Sequence, residues 1–173
     1  SAPLFTLFYF IPELWPELPW YLLLISAWGA FMVFEAWRLY SQVDIPGMRS
    51  YEKERPSAAA WFVTAVTIVL LLFPFEYALP VLLGMALVDP LNGDLRRKGS
   101  KMYPLVPGLI YLALTAAALA YFFGPTVTVA LASVLTTVAA MGAESIRSDL
   151  VDDDFLMVVI PALTLAAVFA VMV

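Results

Sequence analysis

Two acidic residues lie inside otherwise apolar stretches, and each is followed three positions later by an arginine: Glu35 by Arg38, and Glu144 by Arg147. At helical spacing an i,i+3 pair shares one face, so acid and base can neutralise each other where a lone charge at the membrane centre costs roughly 2.5–3.5 kcal/mol or more. A helix-end ion pair snorkelling to the interface accounts for either pair alone. Two such pairs, together with Asp89 and the run Asp152-Asp153-Asp154, point instead to a polar pocket, because ionisable residues in a membrane domain usually line one. Arg49 and Glu52, in the loop between, repeat the same spacing in reverse.

The chemistry open to these residues is narrow. The chain has no histidine and no cysteine, so an imidazole base, a thiolate and a disulfide are excluded. Carboxylates without His or Cys favour a hard cation, magnesium above all, which keeps waters and substrate phosphate oxygens in its shell. Asp89, Asp94, Asp152 and Asp153 are the candidate ligands. Arg96, Arg97, Lys98 and Lys101 follow Asp89 closely and could clamp phosphates, the arginines bidentately and the lysines as point charges, with Asn92 beside them. The plain alternative for this basic run is a charged anchor that fixes membrane orientation. No phosphate-binding loop of the G-x-x-x-x-G-K-[ST] kind and no G-x-G-x-x-G is present, so a soluble nucleotide fold is not expected.

The elements that must position these groups are membrane helices. Of the 173 residues 63% are hydrophobic and 13% charged, about half the charged share of a water-soluble domain. Apolar runs reach the roughly 20 residues that cross a bilayer as helix, and no barrel-like alternation occurs. The expectation is an all-α polytopic domain over residues 1–173, with about six transmembrane helices and an N-terminal partial or interfacial helix. The spans run from Trp20 to Tyr40, from Ser57 to about Phe73, from Tyr77 to Val88, from Tyr103 to Phe123, from Thr126 to Ile146 and from Phe155 to Val173. Leu4 to Ile11 is too short to span, and Pro12, Pro16 and Pro19 break the segment that leads from it to Trp20.

With this count the loops at Leu39 to Pro56, Leu91 to Met102 and Ser145 to Asp154 share one side. All nine Lys and Arg then fall on that face and none on the other, so the positive-inside rule makes it cytosolic. Of the fourteen acids, all but Glu13, Glu17 and Glu76 lie on or near the same face. Topology needs the cations and has no use for the carboxylates.

The order of these pieces resembles the dolichol kinase and phytol kinase family of membrane lipid kinases, which are related to the membrane cytidylyltransferases. An early E-x-x-R is followed by the loop R-x-x-E, then by an Asp-Pro helix end with basic residues and Gly, then by a late Glu and an Asp cluster opening the last helix. "VDPLNGDLRRKG" is similar to the family string G-D-P-x-A-x-x-x-G-R-x-x-G, with Asp89 as its aspartate, and "AESIRSDLVDDDFLMVVIPAL" is similar to its closing E…D-D-N before an apolar, proline-containing helix. Val88, Asn92 and Asp154 stand where the family has Gly, Ala and Asn. The resemblance covers roughly Phe34 to Pro161 and implies CTP-dependent phosphorylation of a polyprenol-type alcohol.

The expected activity is Mg²⁺-dependent phosphoryl transfer from CTP or another nucleoside triphosphate to an isoprenoid or other lipid alcohol at the cytosolic face. Such a transition state needs positioning and charge neutralisation more than covalent help. Asp89 with Asp152 or Asp153 is expected to hold the metal, Arg96, Arg97 and Lys98 the phosphate tail, and Glu144 or Glu35 to orient or deprotonate the hydroxyl. Arg38, Arg49, Glu52 and Arg147 are expected as substrate or ion-pair residues. A cytidylyltransferase making a CDP-lipid uses the same groups, and a transporter would use Glu35 and Glu144 as ion sites. The expected partners are the nucleotide, the lipid alcohol and the bilayer, without nucleic acid.

Overall fold

The computed structural model describes residues 7–43, 45, 48, 50–146, 148 and 151–172. Seven α-helices follow one another, with no strand among the described residues: α1 (Ile11–Leu14), α2 (Trp20–Ser41), α3 (Ala58–Leu72), α4 (Phe75–Arg97), α5 (Leu105–Phe123), α6 (Val127–Ser145) and α7 (Asp153–Met172). Five of them, α2 and α4 to α7, are long and apolar enough to cross a membrane. The remaining apolar helix, α3, has 15 residues, about 22 Å at 1.5 Å per residue. It buries Ala60, Ala65, Val66, Val69 and Leu70 against its neighbours, α7 and α2 chiefly, so much of its surface meets protein and not lipid.

Local chemistry sets the boundaries. Ser57 begins α3 by accepting the Ala60 N–H on its side chain at 3.2 Å, and Thr126 does the same for Val129 at the start of α6, each cap contributing about 1 kcal/mol. At the end of α4, Gly99 takes φ +60°. Its N–H bonds to the Arg96 carbonyl, and the Ser100 N–H reaches back to Leu95, a double closure that satisfies the last carbonyls of the helix and for which glycine is the usual residue. Gly99 therefore has a structural task of its own.

One boundary differs from the sequence expectation. The apolar span was expected to stop at Val88, with a loop from Leu91 to Met102, but α4 continues through Asp89 and Pro90 to Arg97. Pro90 lacks the N–H that would bond the Ala86 carbonyl. Packing outweighs that loss: Gly84, Val88 and Asn92, spaced by four, keep the same buried face. Arg96 and Arg97 then sit in the last turn, where the helix dipole favours cations.

The bundle has two unlike ends. At one, the end of α2 is bonded to the start of α3 through Glu35 and Ser57, the start of α3 meets the start of α7 through the rings of Trp61 and Phe155 at 5.5 Å, and the ends of α4 and α6 meet through Arg96 and Glu144. Every described Lys and Arg belongs to this end. The other is aromatic. Phe75 meets Phe122 at 5.7 Å, Phe123 meets Phe169 at 4.6 Å and Tyr77 stacks on Phe169 at 5.3 Å, tying the start of α4 to the ends of α5 and α7. The Tyr9 hydroxyl donates to the Phe73 carbonyl at 2.6 Å; burial, and then the charge of Glu76, push its pKa up, so it stays a donor.

Candidate functional site

The first sequence pair is closed on itself. Arg38 donates Nε to Glu35 Oε2 at 3.0 Å and Nη2 to Oε1 at 2.8 Å. Glu35 Oε1 also accepts the Ser57 N–H at 2.6 Å, and Arg38 gives its remaining donors to the carbonyls of Glu52 at 2.9 Å and Arg55 at 3.1 Å. Glu52 in turn accepts the Ala58 N–H at 2.8 Å, in the first turn of α3. Glu35, Arg38 and Glu52 are all buried. They form a clamp that fastens the end of α2 to the start of α3, and both carboxylate oxygens of Glu35 are already engaged.

The second acid is arranged differently. Glu144, 3% exposed on the last turn of α6, forms an ion pair through Oε1 with Arg96 of α4. Its Oε2 accepts the Tyr103 hydroxyl at 3.2 Å, and the Arg96 guanidinium lies 5.4 Å from the centre of the Tyr103 ring, within cation–π range. Arg147, its expected partner by spacing, lies outside the described residues, as does Arg49. The Arg96 side chain is 42% exposed, so one side of the pair faces the interior and the other reaches out of it.

Beneath this pair runs a seam of polar groups between α4, α5 and α6. One turn inward from Arg96 on α4, Asn92 is fully buried, and neither its amide nitrogen nor its oxygen has a hydrogen-bond partner. Val88, a further turn in, packs with Tyr111 of α5 and Ala140 of α6. The Tyr111 ring lies so close to Gly84 that a Cβ there would clash with Cε2; only glycine lets α4 and α5 approach this far. Tyr111 Oη, Thr115 Oγ1 and Thr136 Oγ1 are buried and likewise unpartnered. Buried polar groups are normally bonded, so this set needs a reason.

The remaining candidates are more superficial. Asp94, expected as a metal ligand, bonds Lys98 at 2.7 Å and Arg97 at 3.3 Å on the exposed end of its own helix. Lys101 is exposed, and Asp89 is half-buried on α4. Asp152, Asp153 and Asp154, half-buried at the start of α7, bring one carboxylate oxygen each to within 4.8 Å of the others, the one such trio of acids among the described residues. Asp89 is not part of it. Oxygen donors in that number suit a hard cation such as magnesium. Acids at a helix start also serve the first-turn N–H groups, as Asp152 Oδ1 does for Asp154 at 3.2 Å.

The sequence singled out Glu35 and Glu144, both of which are buried, but not Tyr103, Tyr111, Thr115 or Thr136. A signal for them was present: Thr136, Ala140 and Glu144 recur every four residues on α6, and Tyr111 and Thr115 do so on α5, so polar residues share a face with the acid. No family model, curated protein or solved structure matches the chain.

Proposed function

We propose that the chain is a membrane phosphotransferase that moves the terminal phosphoryl group of CTP or another nucleoside triphosphate to the hydroxyl of an isoprenoid or other lipid alcohol, working at its basic end on the cytosolic face. The observation that carries this reading is Glu144: a buried carboxylate held by Arg96, whose side chain is part exposed at the same helix end as the exposed Arg97 and Lys98. An acid turned inward toward the bilayer interior and cations turned outward toward water suit a reaction that joins a lipid to a nucleotide. The charge asymmetry of the two ends supports the orientation.

In the proposed reaction the alcohol oxygen attacks the terminal phosphorus, the bond to the nucleoside diphosphate breaks, and the alcohol proton passes to Glu144. Arg96, Arg97 and Lys98 bind the phosphate oxygens and follow the charge as it moves to the leaving group. Arg96 serves both partners, pairing with Glu144 on its buried side and meeting the phosphates on its exposed one. Asp152, Asp153 and Asp154 would hold a magnesium ion, which when bound neutralises phosphate charge. Glu35 is left out of the chemistry because its oxygens are taken up by Arg38 and Ser57.

Purified protein incubated with Mg²⁺, each labelled nucleoside triphosphate in turn and a panel of lipid alcohols tests the reading. The expected result is label on the alcohol and stoichiometric nucleoside diphosphate. Pyrophosphate release with a nucleotidyl lipid product would make the enzyme a cytidylyltransferase instead, and no transfer from any nucleotide would overturn both.

A further inference from the structure

Buried threonine and serine hydroxyls within the helices behave in two ways. Thr67, Ser133 and Thr137 each donate to the carbonyl four residues back in their own helix, at 2.8 Å in every case. This is how a threonine or serine in a membrane helix ordinarily satisfies itself. Thr115 and Thr136 do not: both are fully buried and both leave Oγ1 without a partner. Side chains of the same kind, in helices of the same kind, are turned away from the bond their neighbours make. Together with the Asn92 amide, one turn inside Arg96, and the Tyr111 hydroxyl they leave a set of unused donors and acceptors that reaches the middle of α5 and α6.

We propose that this seam is a binding site for the hydroxyl group of a neutral amphiphile, a long-chain alcohol lying between α5 and α6. The ligand's chemistry follows from the groups that would recognise it. Asn92, Tyr111, Thr115 and Thr136 are all uncharged, so they match an uncharged group. Each hydroxyl both donates and accepts, and the amide likewise offers both donors and an acceptor, so they match a group that does both, which a hydroxyl does and an ether, ester or ammonium does not. The walls between them are apolar, Val88 and Ala140 with Met141 packed against them. Met141, unbranched and adaptable, lies over Gly108, its Sδ 3.9 Å from where a Cβ would stand, so this side of the seam can be reshaped by a chain entering from the bilayer. On the outer faces of the same two helices Leu109, Leu131, Leu135 and Val138 are exposed toward the space lipid occupies. A hydroxyl bound here lies on the inward side of Glu144. Its use as a phosphoryl acceptor rests on the proposed function, whereas its binding requires no nucleotide.

The test is therefore a binding experiment without nucleotide. Protein in phosphatidylcholine nanodiscs is irradiated with a long-chain primary alcohol carrying a diazirine, and the adducts are mapped by peptide mass spectrometry. Adducts are expected on the seam-facing peptides of α4, α5 and α6, competed by hexadecanol and not by hexadecane or hexadecanoate. Thr115→Val and Thr136→Val, which lie at one level of α5 and α6, keep shape and remove one hydroxyl each, should each weaken competition by hexadecanol about 3- to 10-fold, the effect of one lost hydrogen bond. Neither should lower the unfolding temperature, since each deletes an unpartnered buried group. Labelling that hexadecanol does not compete, or competition of equal strength in wild type and both variants, would overturn the proposal and leave water as the seam's occupant. A protein that binds the alcohol but transfers no phosphoryl group would retain this site and lose the kinase reading, so the two fail separately.

Discussion

Glu35 and Glu144 are introduced by the same four-residue pattern, near the same ends of two apolar helices, yet the protein treats them oppositely. Glu35 is paired within its own helix, and the loop beyond that helix folds back to bring the Ser57 N–H to the acid and the Glu52 and Arg55 carbonyls to Arg38. Glu144 is paired across the bundle, with Arg96 from α4 and Tyr103 from the approach to α5. The first arrangement engages both carboxylate oxygens of Glu35 and all three guanidinium nitrogens of Arg38. The second stands over a seam where Asn92, Tyr111, Thr115 and Thr136 have none of theirs consumed. A buried ion pair is thus not one kind of object: a saturated pair fastens two elements, while a pair set beside unsatisfied polar groups is positioned to meet something else.

The sharpest way to break this comparison is through the clamp. Arg38→Met should destabilise the protein by about 3–5 kcal/mol, because it strands the Glu35 carboxylate and two backbone carbonyls in a buried site. Glu35→Leu added to it should restore only part of the loss, since the carbonyls of Glu52 and Arg55 remain without their donor. Reversible unfolding in detergent measures both. Because α2 packs chiefly on α3, the loss should appear first as increased protease access near the α2–α3 loop. An Arg38→Met protein as stable as wild type would mean that the clamp is ornamental and that the two acids are not distinguished by saturation.

Glu144→Gln probes the other side. The amide keeps an oxygen for Arg96 and its NH2 can donate to the Tyr103 oxygen, and Arg96 can reach water, so the stability change should stay below about 1.5 kcal/mol. Phosphoryl transfer should fall at least about 10²-fold, equivalent to about 2.7 kcal/mol in the barrier, since an amide cannot take the alcohol proton. Rates of the nucleotide-dependent reaction, set beside unfolding of the same sample, give the ratio. Equal activity in Glu144→Gln and wild type would remove Glu144 from the chemistry.

How far these roles were legible in the sequence depends on the range of the contacts. Spans, turns and the crowding of cations at one end follow from composition and spacing, and the Glu35–Arg38 pair follows from i,i+3 geometry, so all were readable. The extension of α4 past Asp89 and Pro90 was not, because proline and aspartate locally favour a stop while the buried face at Gly84, Val88 and Asn92 favours continuation; only packing decides between them. Among the described residues Glu144 pairs with Arg96, 48 positions away, and nothing local encodes a contact of that range. Likewise α3 reads as a span by composition, and its 15 residues are explained only by the helices around it.

The finest distinction lies between adjacent residues of α6. Thr136 and Thr137 have the same side chain and the same β-branched helix propensity, and both are buried, but Thr137 donates to the Ser133 carbonyl at 2.8 Å and Thr136 donates to nothing. Valine is isosteric with threonine, so each substitution removes a hydroxyl and little else. Thr137→Val should cost about 0.5–1 kcal/mol, the net value of one such bond. Thr136→Val should be neutral or stabilising by a few tenths of a kcal/mol, because a desolvated oxygen without a partner is removed. The measurement is unfolding of both variants in alcohol-free detergent, repeated with hexadecanol present. Ligand binding adds about 1.4 kcal/mol to wild type and to Thr137→Val at ten times the dissociation constant, and less to Thr136→Val, whose affinity is reduced. The hydroxyl that contributes nothing to the empty protein then becomes the one that contributes to the occupied one. Equal behaviour of the two valine variants under both conditions would erase the difference between a satisfied hydroxyl and a waiting one, and with it the contrast between the two halves of the molecule.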